Sequence, residues 1–248
     1  MARSPMTGSL SVAVEEPQSQ ALVGSGPPVP HYLEQVYWWA YVHPNAVHVF
    51  ERDWLVNAIL FGNYGRLRDL ALADLGSRVL GHTLQLACAY GNLTARLLQR
   101  LAPDAALDVV DILPIQLRNL ASKLPVDKRL RLVHGDSAAL ACDDASYDQV
   151  LLFFLLHEQP LHVRSATLSQ ALRVVKPGGK VVIVDYHRPS RWHPMRSLMR
   201  LVFRKLEPYA IDLWQHEIAD FIPAGVTPSS VSKCTYFGGL YQKLVLVR

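Results

Sequence analysis

Residues 83–94 read Thr-Leu-Gln-Leu-Ala-Cys-Ala-Tyr-Gly-Asn-Leu-Thr, an apolar run that breaks at small residues and then restarts at helical spacing. The run over 83–87 predicts one buried strand, and leucines at 93, 97, 98 and 101 predict the helix that follows it. A strand that feeds a helix through such a turn lets backbone N–H groups approach a ligand closely. Nucleotide-binding loops usually have glycine where Ala87 and Ala89 stand, and only Gly91 remains. The stretch therefore predicts a ligand loop that departs from the common pattern.

Composition sets the broad class of the protein. The chain has 248 residues, of which half are hydrophobic and 19% are charged, which suits one α/β domain with additions. A net charge of +4 is too mild for a nucleic-acid surface. Cys88, Cys142 and Cys234 lie far apart, which argues against disulfides or a structural zinc site. No apolar run reaches the ~20 residues of a membrane span, and there is no signal-peptide pattern, so we expect a soluble cytoplasmic protein.

The chain divides into three parts. Residues 1–30 are rich in Ser, Pro, Gly and Gln and predict a disordered tail. Residues 31–76 are dense in aromatic side chains and predict three helices, with Pro44 opening the second and the third covering Tyr64–Leu75. These aromatics fit either core packing or a lid over an apolar, ring-shaped substrate.

Strands and helices alternate in the third part, residues 77–248. Strands are predicted over 83–87, 107–110, 130–133, 147–154 and 180–184, with helices between them, which indicates a doubly wound, mostly parallel sheet. Gly238-Gly239 separates two further apolar runs and predicts a C-terminal antiparallel hairpin.

The chemistry of such a sheet lies at the carboxyl ends of its strands. Asp111 ends the second strand, where it could bind ribose hydroxyls or cap the next helix. Asp136 follows the third strand, where it could accept a hydrogen bond from an adenine amino group or form a turn. The last two parallel strands lead into further polar residues: His157, Glu158, Asp185, Tyr186 and His187.

The order of these features resembles the class I S-adenosylmethionine-dependent methyltransferases over roughly residues 78–248. The resemblance rests on the loop 85–91, Asp111, Gly135-Asp136, Tyr147-Asp148 and the stretch 172–179, Leu-Arg-Val-Val-Lys-Pro-Gly-Gly. It implies a Rossmann-like fold and S-adenosylmethionine as the cofactor. The residues that would bind it are Gln85, Ala87, Ala89, Tyr90, Gly91, Asp111, Ile112, Asp136 and Ser137.

One departure from this family is chemically informative. Gln85 stands where the family normally has an acidic residue near the amino group of the cofactor. Loss of that carboxylate removes a counter-charge for an ammonium, and a free α-amino group titrates near pKa ~7.7–8.0. A modest shift would leave the amine neutral and nucleophilic.

The aromatic segment 37–69, the altered loop and the stretch 111–117 together resemble the bacterial rhodoquinone biosynthesis (RquA) family over about residues 28–248. That resemblance implies that S-adenosylmethionine donates an amino group, which replaces a ring methoxy group of ubiquinone, with Mn²⁺ assisting. The N-terminal helices would then be a lid over the quinone ring. Its predicted wall is formed by Tyr37, Trp38, Trp39, Tyr41 and Tyr64.

Two catalytic roles follow as hypotheses. His157 or His187 would take the proton of the amine, and Tyr186 or a metal ion would polarise the carbonyl. Asp185, His187, His157 and Glu158 could supply metal ligands, but their spacing forms no recognisable metal motif and the ligand set stays unknown.

Residues 188–205 hold six basic and no acidic side chains, with Arg196, Arg200 and Arg204 on one helical stripe. This pattern fits either a solvated helix or peripheral contact with the inner face of the cell membrane.

Two alternatives remain open for the function. One is a conventional methyltransferase acting on a quinone precursor, and the other is a catalytically inactive ligand-binding protein. We expect no nucleic-acid partner.

Overall fold

The computed structural model describes residues 22–23, 26–37 and 52–248. Three predicted substrate contacts, Trp38, Trp39 and Tyr41, lie outside these residues, as does most of the predicted tail. The second helix, predicted from Pro44 to Leu60, is described only in its later part, which is helical over Asp53–Ile59. Leu22–Val23, within the segment predicted as a tail, forms a short strand, β1, that pairs in parallel with Leu132 and Val133.

A doubly wound sheet organises the chain, as predicted. Its remaining strands are β2 (His82–Leu86), β3 (Ala106–Asp111), β4 (Leu130–His134), β5 (Tyr147–Phe153), β6 (Val175–Tyr186), β7 (Ser230–Tyr236) and β8 (Tyr241–Val247). The spatial order is β1-β4-β3-β2-β5-β6-β8-β7. All pairs are parallel except β6 with β8 and β8 with β7, which are antiparallel. The predicted C-terminal hairpin is thereby confirmed.

Eight α-helices flank the sheet in the described part of the chain: α1 (His31–Val36), α2 (Asp53–Ile59), α3 (Tyr64–Leu75), α4 (Leu93–Arg100), α5 (Pro114–Lys123), α6 (Leu161–Val174), α7 (Arg196–Leu206) and α8 (Pro208–Leu213). Two 3₁₀ turns, Leu156–Glu158 and Ile218–Phe221, complete the set. No helix of the described residues combines the length and hydropathy needed to cross a bilayer.

The sheet is buried on both faces because its strands alternate between two apolar cores. Leu151 and Val182 pack with α3, α4 and α5 on one face, whereas Val150 and Val181 pack with α6 on the other. This double burial explains why the parallel strands read as continuous apolar runs. It also leaves the carboxyl ends of β2 to β6 at one edge, where the order of strands reverses between β2 and β5.

Candidate functional site

A cavity of about 520 Å³ lies at the carboxyl ends of the parallel strands. Residues from the loop after β2 and from the ends of β3 and β4 line one part of it. Apolar residues of α2 and α7 line another part, and the turn after β5 supplies His157 and Glu158. The cavity therefore holds a polar strand-end region and an apolar region within one space.

The loop after β2 is held in a left-handed turn. Ala87 has φ of +68°, a conformation that favours glycine. Gly91 has φ of +79°, and a Cβ there would lie 2.5 Å from the hydroxyl oxygen of Tyr64. That hydroxyl accepts the backbone N–H groups of Asn92 (2.8 Å) and Leu93 (3.1 Å) and donates to the carbonyl of Tyr90 (3.1 Å). Tyr64 thus fixes the start of α4 as well as lining the cavity.

Gln85 does not line the cavity. Its side chain is fully buried, with Nε2 donating to the carbonyl of Ala87 (2.9 Å) and Oε1 accepting from the hydroxyl of Thr94 (3.1 Å). The residue therefore joins the strand end to α4. Gln85 can affect a ligand in the cavity only indirectly. It holds the loop in place, and it puts no negative charge beneath the loop.

Asp111 ends β3 inside the cavity wall. One carboxylate oxygen accepts the N–H of Cys88 (2.7 Å) and the other accepts the N–H of Leu113 (2.8 Å). The thiol of Cys88 also hydrogen-bonds this carboxylate, which keeps lone-pair capacity beyond these contacts. Burial raises the pKa of Asp111, and these two N–H groups oppose that effect.

Asp136 and Ser137 follow β4 and also line the cavity. Asp136 accepts the N–H of Ala138 (2.8 Å), which forms the turn, and Ser137 accepts from the side-chain amide of Gln159 (3.1 Å). The Oε1 atom of Gln159 is buried on this wall and has no hydrogen-bond partner among the described residues.

His157 and Asp185 form a buried ion pair at the cavity. Nδ1 of His157 lies 2.8 Å from Asp185, which is fully buried and also accepts the N–H groups of Leu156 and Tyr186. Burial alone would lower the pKa of His157, but the charge and hydrogen bond of Asp185, helped by Glu158 and Glu207, raise it to about 9. The ring is therefore a cation at neutral pH. In this form both ring nitrogens are hydrogen-bond donors, and the role of His157 as general base stays a prediction.

Aromatic rings surround this cation. Tyr186 lies edge-on to His157 at 4.8 Å between ring centroids, and Phe154 at 6.0 Å. Phe154 has φ of +55°, a strained backbone geometry at the end of β5. Burial raises the pKa of Tyr186 well above its usual range, so its hydroxyl stays protonated.

For three further residues, the structure differs from the sequence prediction as to whether they line the cavity. His187 lies outside this cavity, since its Nδ1 bonds the carbonyl of Gly239 (2.8 Å) and its Nε2 faces Lys233 (3.1 Å). Tyr37 is fully buried against Tyr209 and does not line the cavity. Glu207, which the sequence did not single out, does line it, and burial raises its pKa.

The predicted manganese ligands do not fit the ion. Both oxygens of Asp185 are already hydrogen-bonded and His187 lies elsewhere, so only Nε2 of His157 and the carboxylate of Glu158 remain of the four predicted ligands. Over residues 26–37 and 52–248, no group of three or more His, Cys, Asp or Glu side chains is placed to hold a metal ion. We assign manganese no ligands.

Comparison with known proteins agrees with this geometry. Residues 83–179 match the family profile described as a methyltransferase domain. The demethylmenaquinone methyltransferase of Staphylococcus aureus (strain JH9) is 30% identical over 138 residues, which are 56% of this chain and 56% of that protein. The match thus spans just over half the length of that relative.

Solved structures show the same architecture. Human N-acetylserotonin methyltransferase in complex with SAM aligns with a TM-score of 0.59 at 15% identity, over 89% of this chain and 60% of that chain. Geranyl diphosphate C-methyltransferase from Streptomyces coelicolor A3(2) aligns with a TM-score of 0.55 at 14% identity, over 89% and 98%. The fold is that of a class I methyltransferase. In this fold, the strand order and the reversed β8 put the loop after β2, Asp111 and Asp136 at the edge where the cavity lies.

Proposed function

We propose that this protein is an S-adenosylmethionine-dependent transferase that modifies the ring of a quinone. The observation that carries the proposal is the His157–Asp185 ion pair in the wall of a cavity whose strand-end region holds Asp111 and Asp136. The cofactor region and the protonated imidazole of His157, a hydrogen-bond donor, therefore lie in one cavity.

The strand-end region fits S-adenosylmethionine. A cavity of about 520 Å³ falls in the usual range for small-ligand sites of roughly 300–1,000 Å³. Asp111 keeps lone pairs for ribose hydroxyls, and Asp136, Ser137 and the unpartnered Oε1 of Gln159 are acceptors and donors for a polar ring. When bound, the cofactor supplies an electrophilic methyl group and an α-amino group.

The apolar region suits a quinone ring. Phe153, Phe154, Tyr186 and Phe203 line it, and the ring of His157 is held rigidly by Asp185. A cationic donor beside a ring oxygen stabilises negative charge there, and it does so best in a site that excludes water. That stabilisation would promote either attack on a quinone carbon or formation of a reactive phenolate.

Methyl transfer to a quinone precursor is the first candidate reaction. The matched relative from Staphylococcus aureus is a demethylmenaquinone methyltransferase. In this reaction His157 would hold a ring oxygen as an anion, which makes the neighbouring carbon nucleophilic.

Amino transfer to ubiquinone, giving rhodoquinone, is the second candidate. Gln85 places an amide where a carboxylate would favour an ammonium, and the cation of Lys123 donates to the carbonyl of Gly91 (2.9 Å) at the same loop. Missing negative charge and nearby positive charge both lower the pKa of an amine. A neutral amine can add to the methoxy-bearing carbon of the quinone while His157 polarises the carbonyl, and the methoxy group then leaves as methanol. Release of the amino group breaks the N–Cα bond of the donor by elimination, which leaves a Cα–Cβ double bond in the donor.

One labelling experiment separates the candidates. Purified protein is given S-adenosylmethionine carrying ¹³C in the methyl group and ¹⁵N in the α-amino group, with ubiquinone or a demethylated quinol, with and without added Mn²⁺. Carbon label in the quinone identifies methyl transfer, and nitrogen label identifies amino transfer. Cofactor binding by calorimetry without label in either product would leave a ligand-binding protein and overturn the proposed activity.

The location of the protein is part of the proposal. A quinone with an isoprenoid tail resides in a membrane, so a cytoplasmic enzyme would meet it at the inner face of the cell membrane.

A further inference from the structure

The cavity reaches the surface through an apolar mouth. Ile59 of α2 and Leu198 and Leu206 of α7 line the cavity, yet these side chains are 43%, 45% and 43% exposed. Residues that are both cavity wall and protein surface mark an opening. The opening therefore lies where the end of α2 approaches α7.

Helix α7 has two unlike faces. Met199 and Phe203 are buried in the core and hold the helix in place. The opposite face is exposed and combines apolar with basic side chains, and α7 contains no acidic residue. The apolar and basic residues of this outer face are Leu198, Arg200, Leu201, Arg204 and Lys205.

This outer face differs from the predicted arginine stripe. Arg196 is half-buried and donates to the carbonyl of Pro189 (2.7 Å), so it is tied to the preceding loop. Arg200, Arg204 and Lys205 remain at the surface, with Leu201 among them and Leu198 at the edge of the face next to the cavity. A purely solvated helix face has no physical need for an exposed leucine at its centre, whereas an interfacial helix needs both apolar and basic side chains.

Two exposed tryptophans lie on or next to the helices that line the mouth. Trp54 on α2 is 65% exposed, and Trp192, just before α7, is 82% exposed with the guanidinium of Arg191 5.2 Å from its ring centre. Tryptophan favours the boundary between lipid and water because its ring is amphipathic. Both helices that form the mouth thus carry or adjoin such a residue.

We infer that the outer face of α7, with Trp54 and Trp192, docks on an anionic phospholipid bilayer, so that an amphiphilic substrate passes from the bilayer through the mouth into the cavity. The positive charge of α7, which contains no acidic residue, complements anionic headgroups, and Leu198 and Leu201 enter the headgroup boundary. The identity of the substrate rests on the proposed function, but the docking does not.

Vesicle co-sedimentation tests the docking without any substrate. Wild-type protein is mixed with vesicles of phosphatidylcholine alone or with phosphatidylglycerol added, and is compared with the double variant Leu201→Asp/Arg204→Glu. Neither residue lines the cavity. We expect preference of the wild type for the anionic vesicles and a loss of affinity of at least about tenfold in the variant, because repelled charge and lost apolar contact act together.

A matched control makes the same chemical changes elsewhere. Val126→Asp/Arg78→Glu alters an exposed valine and an exposed arginine at the opposite edge of the sheet, near the amino ends of β4 and β2. This control should bind anionic vesicles as the wild type does. Equal binding of both variants, or no preference of the wild type for anionic vesicles, would overturn the inference.

Turnover then links docking to the site. With a short-tailed quinone in solution, the Leu201→Asp/Arg204→Glu variant should match the wild type, and with a long-tailed quinone embedded in vesicles it should lose most of its rate. Equal loss on both substrates would contradict delivery through the mouth. A wild type that binds vesicles but modifies neither quinone would overturn the proposed function and leave the docking intact.

Discussion

His157 shows how one buried pair sets the chemistry of the cavity. Asp185 has no exposed surface. Its carboxylate accepts hydrogen bonds from Nδ1 of His157 and from the backbone N–H groups of Leu156 and Tyr186. The imidazole is therefore oriented by a carboxylate that cannot turn away. Its remaining nitrogen, Nε2, lies 3.8 Å from a carboxylate oxygen of Glu158, and both residues line the cavity.

The charge of His157 makes stability depend on pH. Its pKa rises from 6.5 to about 9 on folding, so the stabilisation is complete below about pH 6.5 and disappears as pH rises through 9. The loss should be on the order of 3 kcal/mol at most. Urea unfolding between pH 6 and 10 measures it. His157→Gln should flatten this profile, and the exposed His162→Gln should keep it. A wild-type profile that is flat over this range would contradict the charged pair.

Ala87 carries strain that glycine would relieve. A left-handed conformation costs an L-residue roughly 1–2 kcal/mol, and glycine avoids that strain. Glycine also loses more conformational entropy on folding than alanine, which costs about 0.5–1 kcal/mol and offsets part of the gain. Ala87→Gly should therefore raise the free energy of unfolding by roughly 0.5–1 kcal/mol. Ala89→Gly is the control, because Ala89 does not have positive φ and should gain nothing. Equal effects of the two changes in urea unfolding would show that the turn is not strained.

At the scale of elements, α3 and the ligand loop act as one unit through the Tyr64 hydroxyl. Gly91→Ala would put a methyl group 2.5 Å from that oxygen in addition to straining a backbone with φ of +79°. Gly178→Ala faces the same strain at φ of +78° with no atom within 4 Å. We expect Gly178→Ala to lower the free energy of unfolding by about 1–2 kcal/mol and to leave the affinity for the cofactor unchanged.

Gly91→Ala should lower the free energy of unfolding by more than Gly178→Ala does. It should also weaken S-adenosylmethionine binding by at least tenfold, because the N–H groups of Asn92 and Leu93 lose their acceptor. Calorimetry of both variants checks this. If Gly91→Ala binds the cofactor as well as Gly178→Ala does, Tyr64 does not organise the loop.

The helices and strands could be predicted from the sequence more accurately than the directions in which side chains point. Buried strands and their order follow from apolar runs and turn residues, and α3 has the predicted bounds. Strand-end position alone could not show that Tyr186 faces the cavity whereas His187 is drawn to Gly239 of the hairpin. Gln85 likewise turns into the protein because Thr94 and the Ala87 carbonyl satisfy its amide. Glu207 follows a helix, where no strand-end pattern could indicate it.

At the scale of the whole molecule, Arg164 joins distant segments behind the site. It is fully buried on α6 and donates to the carbonyls of Leu156 (2.9 Å), Gln159 (3.0 Å) and Tyr209 (2.9 Å). The turn that carries His157 is thereby tied to α8. Burial lowers the pKa of Arg164, and the negative charge of Asp185 opposes that effect.

Arg164→Met keeps the apolar stem and removes all three donors. We expect a loss of about 3 kcal/mol in the free energy of unfolding, because three buried carbonyls lose a charged partner, and a fall in turnover as His157 shifts. The exposed Arg118→Met on α5 is the control and should stay within about 0.5 kcal/mol of the wild type. Thermal unfolding and turnover of both proteins give the comparison, and a stable, fully active Arg164→Met would show that His157 needs no support from α8.

The apolar mouth between α2 and α7 has a consequence for kinetics. An enzyme that draws its substrate sideways out of a bilayer responds to the mole fraction of that substrate in the lipid and not to its amount per volume of solution. Adding inert phospholipid at fixed quinone would then slow each bound enzyme, although every bulk concentration of reactant is unchanged. Under the docking that we propose, the concentration that governs the rate is the one in the plane of the bilayer.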